Sequence, residues 1–192
     1  MIYHRLRKIL KLGRIRRSFG SGIHRGLRFN DRRGKRIVFV PYCVLNQNAR
    51  VAGAAVRPAA LDELVTCLLE RKIGIVQIPC PEFELLGLKR AHLPIRSLME
   101  RDSGRTRLHQ LAAELIQQAQ AYRKCGIAVL AILGKNGSPT CGVDVTWREG
   151  LVPGAGVFTE ELSAALECTG LVIPILGVED ADPALVCSRL PQ

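Results

Sequence analysis

The sequence predicts an α/β protein with a mostly parallel sheet and helices on both faces, a Rossmann-like three-layer arrangement. Short runs rich in Val and Ile alternate with longer amphipathic segments along most of the chain. This alternation is typical of right-handed β-α-β units. Hydrophobic residues make up 47% of the 192 residues, which is ample for one core. No apolar run reaches the roughly 18 residues that a membrane-spanning helix needs.

The first half of the chain supplies two strands and one helix to this pattern. Residues 37–42 and 73–78 are rich in β-branched side chains and predict buried strands. Residues 58–72 predict a helix that ends before Gly74. The segment 80–100 has no clear period, and we expect an irregular functional loop. The buried stripe of the predicted helix comprises Leu61, Leu64, Val65, Leu68 and Leu69.

A long helix and a third strand follow. Asp102 or Ser103 is a suitable N-cap for a helix that continues to about Lys124. Residues 127–133 predict a buried strand, and residues 147–156 are rich in turn formers.

The last part of the chain repeats the alternation. Thr159 is a suitable N-cap for a helix that ends at Gly170. Residues 171–176 predict the fourth strand. Asp182 and Pro183 then favour the start of a short final helix, because Pro suits the first helical position.

The positive charge is concentrated at the start of the chain. Residues 1–36 hold thirteen Lys and Arg and one acidic residue, a charge of +12, against +11 for the whole chain. We expect a basic N-terminal extension, residues 1–35, ahead of an α/β domain, residues 36–192. The extension suits contact with RNA or an anionic membrane, although a solvated tail or a transit peptide has the same composition. Without an apolar signal region, a cytoplasmic location is expected.

The seven cysteines include no CxxC pair and no compact disulfide framework, so we expect reduced, ligating or catalytic thiols. Cys67, Cys125 and Cys168 fit ordinary packing, and Cys187 carries no signal.

The other three cysteines follow predicted strands. Cys43, Cys80 and Cys141 each come after a strand, where open α/β sheets bind ligands. A three-thiolate metal or cluster site with one open position is one interpretation. A single catalytic thiolate and a chemically inert arrangement are the others.

Polar residues near these cysteines suit a site. Glu82 is either a general acid or base or simply a first-turn acidic residue after Pro81. Ser138 and Thr140 are hydrogen-bond donors for anionic sulfur or for a substrate. Lys135 is either a counter-charge or a solvated loop lysine. The sequence around Gly154 and Gly156 resembles a small anion-binding turn, a common pattern.

Three motifs resemble the thiouracil desulfurase (TudS-like) family, formerly a domain of unknown function, over residues 36–179. The motifs are Cys43-Val44-Leu45, Cys80-Pro81-Glu82 and Ser138-Pro139-Thr140-Cys141-Gly142. The resemblance implies a [4Fe-4S] cluster held by Cys43, Cys80 and Cys141. It also implies removal of sulfur from a thiocarbonyl such as thiouracil, with Glu82 as acid or base and Ser138 positioning the substrate.

The loops that would contact the substrate depart from the family. The loop after Cys43 keeps only Arg50 and Gly53 as counterparts of the family pattern, and the loop after Glu82 keeps Gly87-Leu88 and a basic pair. We expect Asn46, Arg50, Lys135 and Thr140 to contact a small thiolated base.

The sequence does not identify the natural substrate, the sulfur acceptor or the oligomeric state. A non-catalytic iron–sulfur or metal-binding protein, docked on RNA or membrane through its basic extension, is the alternative hypothesis. A zinc hydrolase is a third.

Overall fold

The structure is a computed structural model that describes residues 31–191, and the fold concerns the unit that begins at Gly34. Most of the predicted basic extension, residues 1–35, lies outside the described residues. Its contact with RNA or an anionic membrane therefore stays a prediction. Within residues 31–191, no helix is long and apolar enough to cross a membrane.

A four-stranded parallel sheet forms the centre of the fold, with the strand order β2-β1-β3-β6. Two short antiparallel strands, β4 and β5, form a separate hairpin. The strands are β1 Arg36–Pro41, β2 Gly74–Ile78, β3 Ala128–Lys135, β4 Val145–Trp147, β5 Leu151–Pro153 and β6 Ile175–Val178. The helices are α1 Tyr42–Leu45, α2 Asp62–Glu70, α3 Pro81–Leu86, α4 Ile95–Glu100, α5 Asp102–Lys124 and α6 Val157–Thr169, with 3-10 helices at Gln47–Ala49 and Pro183–Arg189.

Helices cover both faces of the sheet. Alternate residues of β1 point to opposite sides, because successive side chains of a strand do so. Phe39 packs in a core with α5 and α6, whereas Val38 and Val40 pack in a second core with α2 and the C-terminal 3-10 helix. The predicted α/β class with a mostly parallel sheet is confirmed.

The helix predicted over residues 58–72 is shorter and begins at Asp62. The residues before it pair with the loop that follows β1. The N–H of Gln47 donates to the Ala59 oxygen at 2.7 Å, and the N–H of Leu61 donates to the Val44 oxygen at 2.8 Å. These backbone groups are therefore not available for a helical turn.

Three further details differ from the sequence prediction. The segment 80–100 contains two helices, α3 and α4, rather than irregular structure. Pro81 occupies the first turn of α3, where its missing N–H costs nothing. The turn-rich segment 147–156 includes part of the β4–β5 hairpin, and β6 begins only at Ile175.

Both predicted caps of the long helices are wrong. The N-cap of α5 is Arg101, and the N-cap of α6 is Gly156, so Thr159 lies inside α6. The predicted cap of the last helix is found, since the Asp182 side chain accepts the N–H of Leu185 at 3.1 Å.

The structure joins Cys67 of α2 to Cys187 of the C-terminal 3-10 helix in a disulfide. The predicted reduced state of Cys67 is therefore wrong, whereas its predicted packing against the core is found. The guanidinium of Arg71, also beside α2, donates to the Cys187 oxygen. Together these contacts fix the end of the chain to the α2 face of the sheet.

Candidate functional site

Three thiols converge at the carboxyl edge of the parallel sheet. Cys43 lies in α1 directly after β1, Cys80 is the N-cap of α3 after β2, and Cys141 lies in the loop after β3. These three strands are neighbours, so their carboxyl ends meet. All three cysteines line one cavity of about 20 Å³. This volume is roughly the room that a single buried water needs.

The environment of these thiols keeps them protonated at neutral pH. Burial, followed by the Cys80 charge, raises the pKa of Cys43 from 9.0 to about 12. Burial and then the Glu82 charge raise the pKa of Cys80. Burial raises the pKa of Cys141 well above its ordinary value, with Cys80 as the next cause. A thiophilic cation would reverse this balance, because it binds the thiolate form.

The donor set therefore fits a thiophilic metal or an iron–sulfur cluster chemically. Within residues 31–191, however, no three His, Cys, Asp or Glu side chains are already grouped as metal ligands. The thiols share a cavity without forming a finished coordination shell. The [4Fe-4S] cluster that the family resemblance implies thus stays a prediction.

A buried ion pair lies next to the thiols. The Glu82 residue is only 7% exposed, and the Nε of Arg90 lies 3.2 Å from its Oε2. Arg90 is 2% exposed and also donates to the oxygens of Gly87 at 2.8 Å and Ala49 at 2.7 Å. The sequence pattern indicated Arg90 only as part of a basic pair. Its buried ion pair with Glu82 was not predictable from the local pattern.

Ser138 connects this carboxylate to the cysteine loop. Its hydroxyl donates to Oε1 of Glu82 at 3.3 Å. The Oγ of Ser138 also accepts the N–H groups of Thr140 at 3.2 Å and Cys141 at 3.0 Å. Ser138 thus links Glu82 to the backbone that carries the Cys141 thiol.

The N-terminus of α6 holds the cysteine loop in place. Its N–H groups at Val157 and Phe158 donate to the oxygens of Pro139 and Thr140, at 3.1 and 2.9 Å. Among residues 31–191, no side chain caps the helix. The turn before α6, which resembles an anion-binding pattern in sequence, thus has its helix donors directed at protein carbonyls.

Asn136 organises the other side of the loop. Its side-chain oxygen accepts the N–H groups of Val143 at 3.1 Å and Asp144 at 3.0 Å. Its amide nitrogen donates to the carboxylates of Asp144, at 3.0 Å, and Glu179. The sequence pattern did not indicate this role, because an Asn in a glycine-rich loop is too common to be a signal.

The four residues predicted to contact substrate occupy different environments. Asn46 donates to the Tyr42 hydroxyl at 3.2 Å, and Arg50 forms a two-pronged ion pair with Asp180 at 2.9 and 3.1 Å. The Lys135 ammonium is buried and donates to the oxygens of Asn136 and Val178, at 2.7 and 3.2 Å. Their predicted substrate contacts are not tested by these distances.

Thr140, the fourth of these residues, has a buried hydroxyl that makes no hydrogen bond within residues 31–191. The residue is fully buried, and among the described residues its Oγ1 has no hydrogen-bond partner. Unpaired buried hydroxyls are uncommon, because each forfeits the hydrogen bonds it had in water. This hydroxyl is therefore an unsatisfied polar atom directly beside Cys141.

A larger cleft of about 800 Å³ lies against the same loop. Its walls come from the segments that follow each of the three site cysteines. Gly137 and Pro139 line it, on either side of Ser138. Its remaining lining consists of Val51, Ala52, Gly53, Ala54, Ala91, Leu93, Pro94, Ile95, Arg96, Ser97, Trp147, Arg148 and Glu149.

Comparison with known proteins identifies a curated relative. The chain is 30% identical to the uncharacterized protein MJ0003 of Methanocaldococcus jannaschii over 143 residues, which cover 73% of this chain and 84% of that protein. A solved structure, that of the [4Fe-4S]-dependent thiouracil desulfidase TudS, matches 80% of this chain and 98% of its own. That match has 20% identity and a TM-score of 0.42. No family model matches the chain.

Proposed function

We propose that this chain, which belongs to the family of the uncharacterized protein MJ0003, is a [4Fe-4S]-dependent desulfurase. Its substrate is a thiocarbonyl, either thiouracil or a related thiolated base. The convergence of Cys43, Cys80 and Cys141 on one cavity, beside the buried Glu82–Arg90 pair, is the observation that carries the proposal. Three thiols and an adjacent carboxylate suit chemistry in which sulfur and a proton both move.

The three cysteines would hold the cluster. When bound, a cluster with three protein thiolates supplies an iron with an open position, and iron has affinity for the soft sulfur of a thiocarbonyl. The protein supplies the remaining requirements, which are orientation of the substrate, proton transfer and fixed charges.

The proposed reaction is a hydrolysis with no net redox change. Water adds to the thiocarbonyl carbon, the carbon–sulfur bond breaks, and the products are the carbonyl compound and hydrogen sulfide. Glu82 takes a proton from the water as its oxygen attacks and returns it to the departing sulfur. The second proton of hydrogen sulfide is the hydroxyl proton of the adduct, which is released as the carbonyl forms. Arg90 supplies the counter-charge of Glu82, and Ser138 holds its Oε1.

The larger cleft supports a substrate of this class. Its volume of about 800 Å³ falls within the usual range for small-molecule sites. Gly137 and Pro139 line it, so its wall belongs to the loop that carries Ser138 and Cys141. A substrate ring in this cleft would contact the loop that carries Ser138, whose hydroxyl donates to Glu82.

Anaerobic reconstitution tests the proposal. The chain is loaded with iron and sulfide, its visible spectrum is recorded, and the conversion of 2-thiouracil to uracil is measured. Glu82→Gln should abolish turnover and leave iron and sulfide content unchanged. The matched control is Glu84→Gln in the same helix, since Glu84 pairs with Arg107 at the surface, and it should keep full turnover.

Other outcomes would contradict the proposal. A wild-type protein that binds the cluster but never converts a thiocarbonyl would favour the non-catalytic carrier. Zinc without iron or sulfide in an anaerobic preparation would exclude the cluster and favour a hydrolase.

A further inference from the structure

Trp147, the single tryptophan of the chain, lines the larger cleft from the β4–β5 hairpin. The residue is 50% exposed, although tryptophan side chains are highly buried on average. It belongs to neither of the two cores formed by the described residues. The hairpin therefore gives the cleft a broad aromatic surface that packing within the fold does not use.

The hairpin is fixed to the loop that carries the third site cysteine. The Thr146 side chain is fully buried, and its Oγ1 donates to the Ser138 oxygen at 3.1 Å. The N–H of Gly137 donates to the Val145 oxygen at 2.9 Å. Gly142 permits this close approach, because a Cβ there would lie 2.5 Å from the Val145 oxygen. Hairpin and loop thus form one hydrogen-bonded unit.

The same anchor directs Trp147 outward. Successive side chains of a strand point to opposite faces, so the buried Thr146 leaves its neighbour on the solvent side. Trp147 shares the lining of the cleft with Gly137 and Pro139, which flank Ser138. The Ser138 hydroxyl is the group that donates to the proposed acid or base. The aromatic surface and the proposed reactive groups therefore belong to connected parts of the chain.

The cations that line the cleft are already paired. Arg96 lies 2.9 Å from Glu160 and 3.0 Å from Glu100, and Arg148 lies 3.5 Å from Glu160. Glu149 adds another carboxylate to the lining. Counted with these partners, the described lining has two cations and three carboxylates, so it offers no surplus positive charge to an anion. An uncharged ring suits this cleft, and its affinity would come mainly from stacking and apolar contact.

We propose that Trp147 is a substrate-binding residue, whose indole stacks on the ring of the thiolated base. This inference rests on the proposed function, and it narrows the substrate to planar, uncharged rings. Every base has a flat π-face, so stacking gives affinity without reading the groups at the edge of the ring. Recognition of the sulfur atom is left to the groups around Ser138.

The test compares wild type with Trp147→Phe and Trp147→Leu in the full chain. Trp147→Phe keeps an aromatic face, whereas Trp147→Leu keeps only apolar character. The matched control is Leu151→Ala, which removes the exposed cross-strand partner of Trp147 but lies outside the lining of the cleft. The Kd values of 2-thiouracil and of its product uracil are measured by equilibrium dialysis, on cluster-free and on reconstituted protein. KM and kcat are measured on the reconstituted protein, and melting temperatures check folding.

Loss of the indole should weaken binding of both ligands. Trp147→Leu should raise Kd about 5- to 50-fold, within the range for one lost base–aromatic stack. Trp147→Phe should recover most of the affinity, and Leu151→Ala should bind like wild type. KM for 2-thiouracil should rise together with Kd, whereas kcat should change little, because the stack is the same before and during cleavage of the carbon–sulfur bond.

Trp147 also reports on its own contact. Because the chain has one tryptophan, uracil stacked on the indole should quench the tryptophan fluorescence of cluster-free wild type. The midpoint of quenching should match the Kd from dialysis. Free N-acetyltryptophanamide in the same uracil solutions corrects for absorption by the ligand. Fluorescence that saturating uracil leaves unchanged would overturn the inference.

Four binding results would also overturn the inference. The first is an equal Kd for wild type and Trp147→Leu. The second is an equal loss in Trp147→Leu and Leu151→Ala, which would assign the effect to the hairpin rather than to the indole. The third is a Trp147→Phe variant that binds no better than Trp147→Leu, which would exclude stacking. The fourth is a wild type that binds neither probe, with or without a cluster.

The inference and the proposed function fail in different ways. If wild type binds uracil and 2-thiouracil but never converts 2-thiouracil, the proposed desulfurase function fails, and the Kd values still decide the role of Trp147. If wild type converts 2-thiouracil and Trp147→Leu does so with the same KM, the proposed function stands and this inference fails.

Discussion

The Nε atom of Arg90 lies 3.2 Å from Oε2 of Glu82, and the pair is almost completely removed from solvent. Arg90 also donates to the oxygens of Gly87 and Ala49, so its charge is fully engaged inside the fold. The Glu82 carboxylate, which we propose transfers protons, is therefore paired with Arg90, a cation in the segment that follows α3.

Breaking this pair should destabilise the protein. Arg90→Met leaves Glu82 without its counter-charge, and we expect a loss of about 3–5 kcal/mol in the free energy of unfolding. The double variant Arg90→Met/Glu82→Leu should recover most of it, because no buried charge is left unpaired. Urea unfolding measures both. As a control, Arg107→Met at the more exposed pair with Glu84 should cost about 1 kcal/mol or less.

Asn136→Ala should loosen the cysteine loop. The change removes two acceptor and two donor contacts, with Val143, Asp144 and Glu179, and leaves two backbone N–H groups without partners. We expect a loss of about 2–4 kcal/mol in the free energy of unfolding, measured by thermal or urea unfolding. Asn48→Ala removes an exposed asparagine and should stay near wild type. Equal losses in both variants would contradict the role of Asn136.

Gly156→Ala should displace Cys141. A Cβ at Gly156 would overlap the Thr140 carbonyl and lie 2.9 Å from the Cys141 nitrogen. The backbone angle φ of −78° suits alanine, so the cost is steric. We expect about 1–3 kcal/mol of destabilisation and weaker cluster loading, measured by unfolding and by iron content. Gly150→Ala, which meets no atom within 4 Å, is the matched control and should load normally.

The cluster-free protein should lose stability in alkali. The pKa of Cys43 rises from 9.0 to about 12, mainly by burial and next by the Cys80 charge. As the pH increases, the unfolded chain releases this proton first, so the stabilisation is complete below pH 9 and is lost as the pH approaches about 12. Melting temperatures across this range should fall less steeply for Cys43→Ser than for wild type. Cys125→Ser, at an exposed thiol, should follow wild type.

The Cys67–Cys187 disulfide should stabilise the cluster-free protein. It closes a loop with a sequence separation of 120, and loss of a native disulfide costs about 2–5 kcal/mol. Dithiothreitol should therefore lower the midpoint of urea unfolding for wild type. The double variant Cys67→Ser/Cys187→Ser should not respond to dithiothreitol, whereas Cys168→Ser should respond as wild type does. A wild-type midpoint that dithiothreitol leaves unchanged would contradict the stabilising role.

The layers of the fold were predictable because they depend on repeated local patterns. Runs of β-branched residues marked β1, β2 and β3, and the apolar stripe of α5 marked its buried face. Parallel strands bring their carboxyl ends to one edge, so the convergence of Cys43, Cys80 and Cys141 on one cavity followed from the same patterns. Their roles as ligands stay a prediction.

The contacts that hold the site depend on distant residues and were not predictable from local patterns. Arg90 reaches back to Ala49, and Asp180 reaches Arg50, across many residues of sequence. Thr159 has the character of a cap, yet α6 begins earlier because its first N–H groups find partners in the loop after β3. Cys67 and Cys187 lie too far apart in sequence for their spacing to indicate a disulfide.

Under the proposed function, the strand order β2-β1-β3-β6 also governs when the cluster can be assembled. Each cysteine of the site follows a different parallel strand, and such strands are joined only by long crossovers. No short stretch of the nascent chain contains two of these cysteines. During translation, iron therefore finds no pair of neighbouring thiols to bind. Under the proposed function, maturation therefore delivers iron and sulfide to a chain whose sheet has already formed.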